Sequence, residues 1–169
     1  MRAGLLLLMV AVGSVAMSGG AAGASPRPQI RADLEGKSIP IAKISSYFCH
    51  DFDFPRIHCF DNPTRLEASI GGDGRSTTAA LAFGPNDFVT IYSGPTYSGG
   101  YVHLSQNYDT LFVIGWNDQV SSYKGRNSAS GTFWSDWYGS GRGTNFCCNT
   151  NVPYLPSGVD NTFTSVYRH

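Results

Sequence analysis

Charge is scarce in this sequence. Asp, Glu, Lys and Arg make up 14% of it and cancel to a net charge of zero, where ordinary soluble domains carry about 25% charged residues. A nucleic-acid-binding protein needs a basic patch or stripe; none is written here, so no nucleic-acid partner is expected. Long apolar runs are equally rare. LLLLMVAVGSVAM follows Arg2, is short for a membrane span, and leads into the small residues SGGAAGA. That order predicts a signal peptide over residues 1–24, cleaved after Ala24, and a secreted product with no membrane partner. Catalytic signatures are missing too: there is no Gly-x-Ser-x-Gly elbow and no phosphate-cradling glycine loop, so no enzyme is expected.

What the chain does have is glycine (20 residues) and aromatic side chains (13%). From Phe88 onward, FVTIYS, YVHLS, LFVIG, VSSYK, GTFWSDW, TNFCCN and TFTSVYRH read as short strands parted by Gly, Asn, Pro and Asp. Such spacing predicts antiparallel hairpins or Greek keys in an all-β domain over residues 88–169. Residues 25–87 read as a partly flexible N-terminal extension. Within it, 25–38 is a lead-in rich in Pro and charge, and 39–60 holds extended segments. DNPTRLEAS is a short helix capped by Asp61 or Asn62 with Pro63 in its first turn, and GGDGRST is a mobile turn.

The four cysteines are Cys49, Cys59, Cys147 and Cys148. An even count behind an export signal predicts two disulfides. Neighbours on a strand point to opposite faces, so Cys147 and Cys148 are expected to reach one each of the N-terminal pair, stapling the extension to the domain. The alternative is a local Cys49–Cys59 bridge, with the other two free or vicinal.

An internal repeat carries the functional signal. GWNDQVSSYK contains Asn117 and Asp118, two free positions, then Ser121 and Ser122; GVDNTFTSVY repeats the pattern as Asp160, Asn161, Thr164 and Ser165. Upstream of the first box stands Tyr92-x4-Tyr97-x-Gly99, and upstream of the second Phe133-x3-Trp137-x-Gly139. An aromatic pair with a glycine beyond it suits a folded hairpin corner, where glycine takes positive φ and a ring covers the exposed backbone.

These motifs resemble the βγ-crystallin domain over about residues 88–168. The resemblance implies a two-Greek-key β-sandwich and, as in many microbial members, calcium binding at two sites, each built from both boxes. Carried over by position, the candidate ligands are Asn117, Asp118, the Gln119 main chain and Ser121, with Asp160, Asn161, the Thr162 main chain and Thr164. Ser122 and Ser165 are expected to point inward as structural hydrogen-bonding groups. Calcium takes six to eight oxygen ligands and accepts carbonyls, hydroxyls and carboxylates together. With Asp118 and Asp160 as the box carboxylates, affinity should be modest.

Two further features compete for a role. CHDFDFPRIHC gathers His50, Asp51, Asp53 and His58 between two cysteines; a closed, exposed loop explains it more simply than a zinc site, whose ligands sit at tighter spacing. Presenting His50, Asp51, Asp53, Pro55 and Arg56, that loop could bind an extracellular protein target. The resemblance leaves room for a protease inhibitor or an antifungal or toxin-like effector on the same scaffold. Trp134, Trp137 and Tyr138 offer a sugar platform, though core and corner packing account for them as well.

Overall fold

The computed structural model describes residues 29–71 and 84–169. The expected signal peptide and nearly all of the expected mobile turn lie outside the described residues. An eight-stranded and a three-stranded sheet face each other. In chain order the strands are β1 (Arg31–Leu34), β2 (Lys37–Ile39), β3 (Phe48–Asp53), β4 (Arg56–Phe60), β5 (Val89–Tyr92), β6 (Tyr101–Leu104), β7 (Ser122–Gly125), β8 (Gly131–Trp134), β9 (Gly143–Phe146), β10 (Asn151–Val152) and β11 (Ser165–Arg168), with helix α1 (Pro63–Ile70) after β4.

Two Greek keys build the sandwich. The first runs through β5, β6, the segment at Tyr108 and β7; the second runs through β8, β9, β10 and β11. The third member of each key crosses to the other key's sheet: β10 pairs with β7, and Tyr108 bridges Val166 on β11. Alternation along the strands places Ile91, Val102, Phe133 and Val166 between the sheets, all fully buried. LFVIG, expected as a strand, is instead the 3-10 turn Leu111–Ile114. It closes at Gly115, whose φ is +70° and where any Cβ would run into the Ile41 carbonyl.

The N-terminal extension is more ordered than expected. Residues 31–38, read as part of a flexible lead-in, form the β1–β2 hairpin together with Ile39, with β1 parallel to β4. The β3–β4 hairpin continues the sheet through a parallel pairing of β3 with β6, giving the order β10-β7-β5-β6-β3-β4-β1-β2. Helix α1 forms where expected: Asn62 Oδ1 accepts from Thr64 N at 2.8 Å and Pro63 opens the first turn. Its Leu66 lies on a cross-strand aromatic row of Tyr92, Tyr101, Phe48 and Phe60 on the outer face.

The disulfides correct the expected stapling. Cys49 bonds Cys59 directly across the β3–β4 pair, buried in the core-facing row beside Val102. Cys147 bonds Cys148. Opposite-face alternation does not apply there, because β9 ends at Phe146 and Cys148 has a φ of +60°. What joins the extension to the domain is the β3–β6 ladder and a common core.

Candidate functional site

Each box follows a tight turn that a buried side chain anchors. Before the first, Trp116 N donates to Leu111 O at 3.0 Å and the Trp116 side chain is fully buried. Before the second, Val159 and Asp160 N donate to Pro156 O at 2.7 and 2.9 Å, with Val159 buried. The second Asx of each box then takes a left-handed backbone, Asp118 at φ +54° and Asn161 at +55°. Asx residues tolerate that conformation better than most.

The boxes lie against each other under a local two-fold relation. Asp118 N donates to Phe163 O at 3.1 Å, and its counterpart Asn161 N donates to Val120 O at 3.0 Å. Leu111 N bonds Thr164 O at 2.6 Å, as Leu155 N bonds Ser121 O at 3.2 Å. The consequence is a crossing. Ser121 Oγ, from the first box, donates to Asn161 Oδ1 of the second at 3.3 Å. On the other side, the Asp118 N–Phe163 O bond brings the Asp118 backbone next to the residue before Thr164.

The last serine of each box points inward, as expected, and is fully buried. Ser122 Oγ donates to Gly94 O at 2.7 Å and accepts from Tyr97 N at 3.1 Å. Ser165 Oγ donates to Asp136 O at 2.6 Å and accepts from Gly139 N at 3.1 Å. Each serine therefore pins the hairpin corner of its own key. The fold is βγ-crystallin-like. These bonds also correct the second hairpin motif: Gly139, rather than Trp137, stands where Tyr97 stands, so the repeat reads Trp134-x4-Gly139-x-Gly141. Positive φ agrees, at Thr96, Tyr97 and Gly99 in one corner and at Tyr138, Gly139 and Gly141 in the other.

The chain matches no family model and no curated protein. Among solved structures, a βγ-crystallin domain from Clostridium beijerinckii is 23% identical, with a TM-score of 0.43, over 48% of this chain and 97% of that one. One from Flavobacterium johnsoniae is 20% identical, with a TM-score of 0.43, over 49% of this chain and 94% of that one. The βγ-crystallin of Ciona intestinalis is 24% identical, with a TM-score of 0.44, over 48% of this chain and 98% of that one.

Two box oxygens stand without partners. Asn117 Oδ1 and Asp160 Oδ1, the first Asx oxygens of the two boxes, are buried and have no hydrogen-bond partner among the described residues. A buried acceptor left unpaired costs about 1–3 kcal/mol, and here the cost falls at two-fold-equivalent positions. Asn117 Nδ2 donates to Asp118 Oδ2 at 2.7 Å, and partial burial raises the pKa of Asp118. Gln119 is exposed and Thr162 half-buried, with Thr162 Oγ1 donating to Val159 O. Among the described residues no three His, Cys, Asp or Glu side chains converge to hold a metal ion, so any cation held here would need amide, hydroxyl and carbonyl oxygens beside the carboxylates of Asp118 and Asp160.

The CHDFDFPRIHC segment is a hairpin rather than an exposed loop. Asp51 is fully buried and ties β3 to the first key, accepting from Ser105 N (2.8 Å), Ser105 Oγ (2.6 Å) and Tyr108 Oη (2.7 Å). His50 is buried as well, and burial, aided by the neighbouring His58, lowers its pKa to about 4. Asp53 and Arg56 are exposed at the tip and Pro55 is half-buried. His58 bridges Asp33 and Asp53 at 3.1 Å each.

Sequence reasoning missed a second polar cluster. Thr90 Oγ1 lies 2.8 Å from His103 Nδ1 and accepts from Arg126 Nε at 2.8 Å, while Asp87 Oδ2 is 3.4 Å from the same imidazole nitrogen. Burial pushes Asp87 up to about 8 and His103 down to about 3, so it works against an ionic pair at this site. A histidine inside the YVHLS strand pattern was the available signal.

Proposed function

We propose that this is an exported βγ-crystallin-like protein that binds two calcium ions at its crossed boxes and uses them to stabilise the fold. The paired unpartnered oxygens of Asn117 and Asp160 carry the reading. An ion bound only by the folded state adds RT ln(1 + [Ca]/Kd), about 2.7 kcal/mol at a hundredfold excess over Kd. Calcium should raise the melting temperature, chelation should lower it, and titration calorimetry should show uptake. An unchanged melt together with no binding heat would remove the proposal. Since each site draws on both boxes, Asp118→Ala and Asp160→Ala should each weaken both ions. The double variant should lose little more than either alone, because coupled neighbours do not add.

A second reading rests on the β3–β4 tip, where Asp53 and Arg56 are exposed beside a groove of about 460 Å³ on a hairpin held by the Cys49–Cys59 bridge. A tip held in advance lowers the ordering cost of binding an extracellular protein such as a protease. Full activity of a panel of secreted proteases in the presence of the protein, unchanged by replacing Pro55 and Arg56, would exclude it.

A further inference from the structure

The large apolar side chains that the described residues expose all lie in one set of loops. Phe112 is 69% exposed, Tyr138 70%, Tyr154 64%, Trp137 56% and Val113 36%. Hydrogen bonds tie these loops to one another and to the boxes: Tyr138 N donates to Asp109 O at 2.9 Å in the loop before the first box, Leu111 N to Thr164 O at 2.6 Å, and Leu155 N to Ser121 O at 3.2 Å. Phe112 also lines a cleft of about 410 Å³ with Asn117 and Gln119. Exposed aromatic and aliphatic groups carried on loops bonded to one another mark an interaction surface.

The charges of these loops name the occupant. Residues 93–99, 105–121, 135–140 and 151–164 contain Asp109, Asp118, Asp136 and Asp160 and neither lysine nor arginine. Cations border them: Arg142 Nη1 donates to Gly158 O at 3.2 Å, and Lys124 Nζ lies 4.2 Å from the Tyr97 ring centroid. Without bound metal, an acidic rim repels an anionic surface. Shared between two ions, the eight candidate ligands would supply about four to each, fewer than the six to eight calcium takes, so a bound ion would have room for outside oxygens. Phosphate oxygens can fill the open positions while Trp137, Tyr138 and Phe112 enter the interfacial layer, where amphipathic rings are favoured.

We propose that the box-bearing end docks on anionic phospholipid surfaces when calcium is bound, with Phe112, Trp137 and Tyr138 as its apolar anchors. This rests on the calcium reading above. The test is sedimentation of the purified protein with phosphatidylcholine vesicles, with and without phosphatidylserine, in calcium or chelator, beside calorimetry of calcium binding without lipid. Binding is expected only with calcium and phosphatidylserine together. Phe112→Ser and Trp137→Ser should each weaken it about tenfold, the worth of one lost apolar anchor, with calcium binding unchanged. Calcium uptake without vesicle binding overturns the docking and leaves the calcium reading standing; no calcium uptake removes both. Vesicle binding in chelator overturns the gating, and saturable binding of soluble glycans without vesicle binding assigns the rings to carbohydrate instead.

Discussion

The two Greek keys run on one hydrogen-bond scheme with different chemistry in equivalent places. In the first, Tyr97 covers the hairpin corner, its ring centroid 5.4 Å from that of Tyr92, with the Lys124 ammonium over its face. In the second, Gly139 occupies that position and the neighbouring Trp137 and Tyr138 turn outward. Beneath the corners, the cross-strand pair Thr90–His103 is matched by Thr132–Asn145 at 2.7 Å, and the donor Arg126 by His169, also 2.7 Å from Thr132 Oγ1. In the core, Ile91 and Val120 stand where the second key places Phe133 and Phe163, stacked 4.5 Å apart. Backbone-to-serine bonds therefore define the corner, and the ring over it is separable. A repeat can hold its geometry while one copy is freed to place aromatics at the surface and the other keeps them inside.

Core truncation is the harshest way to probe the difference. Phe133→Ala should cost about 3–5 kcal/mol in urea unfolding and exceed Ile91→Ala; the reverse order would show that the aromatic stack does not favour the second key. Next comes acid sensitivity, which buried His103 brings to the first key and buried His50 to the extension beside it, with no buried histidine among the described residues of the second key. His103 and His50 have folded pKa values below their unfolded values, so the stability they contribute is present above about pH 6.5 and lost as pH falls toward their folded values. Asp87, raised to about 8, acts in the opposite direction, losing its contribution as pH rises from about 4 through 8. His103→Asn, which copies the second key, should shrink the stability lost between pH 7 and about pH 4.5 by roughly 2–3 kcal/mol; an unchanged pH slope would refute the assignment.

Smaller effects separate the corners. Ser165→Ala should cost about 2–3 kcal/mol and Ser122→Ala about 1–2, since only the first corner keeps a ring when its serine is lost. Equal losses would mean that the Tyr97 ring adds nothing. Smallest of all, Tyr97→Ala should cost about 1 kcal/mol through its ring contacts. Gly139→Tyr should bring no compensating gain, because Gly139 has φ +67° and a Cβ there would sit 3.1 Å from the Tyr167 ring.

Sequence made the first key legible and the second only partly so. The boxes, the Tyr92–Tyr97–Gly99 corner and the Asn62 cap are local patterns whose meaning is set by residues a few positions away. GTFWSDWYGSG holds enough aromatics and glycines to fit two registers, and only the bonds to Ser165 choose between them. The Cys147–Cys148 bridge was hidden because it depends on where β9 stops, which strand alternation does not disclose. Strands β1 and β2 were hidden for a related reason: they are short and carry charge, and what orders them is pairing with β4 and with each other rather than their own propensity. Of the site, the inward serines and the contact between boxes could be read; the buried acid–histidine cluster could not, because it assembles across strands distant in sequence.

The parallel seam between β3 and β6 bears on how the molecule behaves in company. In a sandwich ending at β6, that strand would present a free row of amides and carbonyls to any passing chain, the template from which sheets grow between molecules. Here the row is already occupied by the protein's own N-terminal segment, and the sheet ends instead at β2, a three-residue strand followed by Pro40. A short edge closed by proline is a poor seed for further pairing. Among the described residues, the extension thus moves that edge of the sheet from β6 to a three-residue strand that offers little backbone for another chain to pair with.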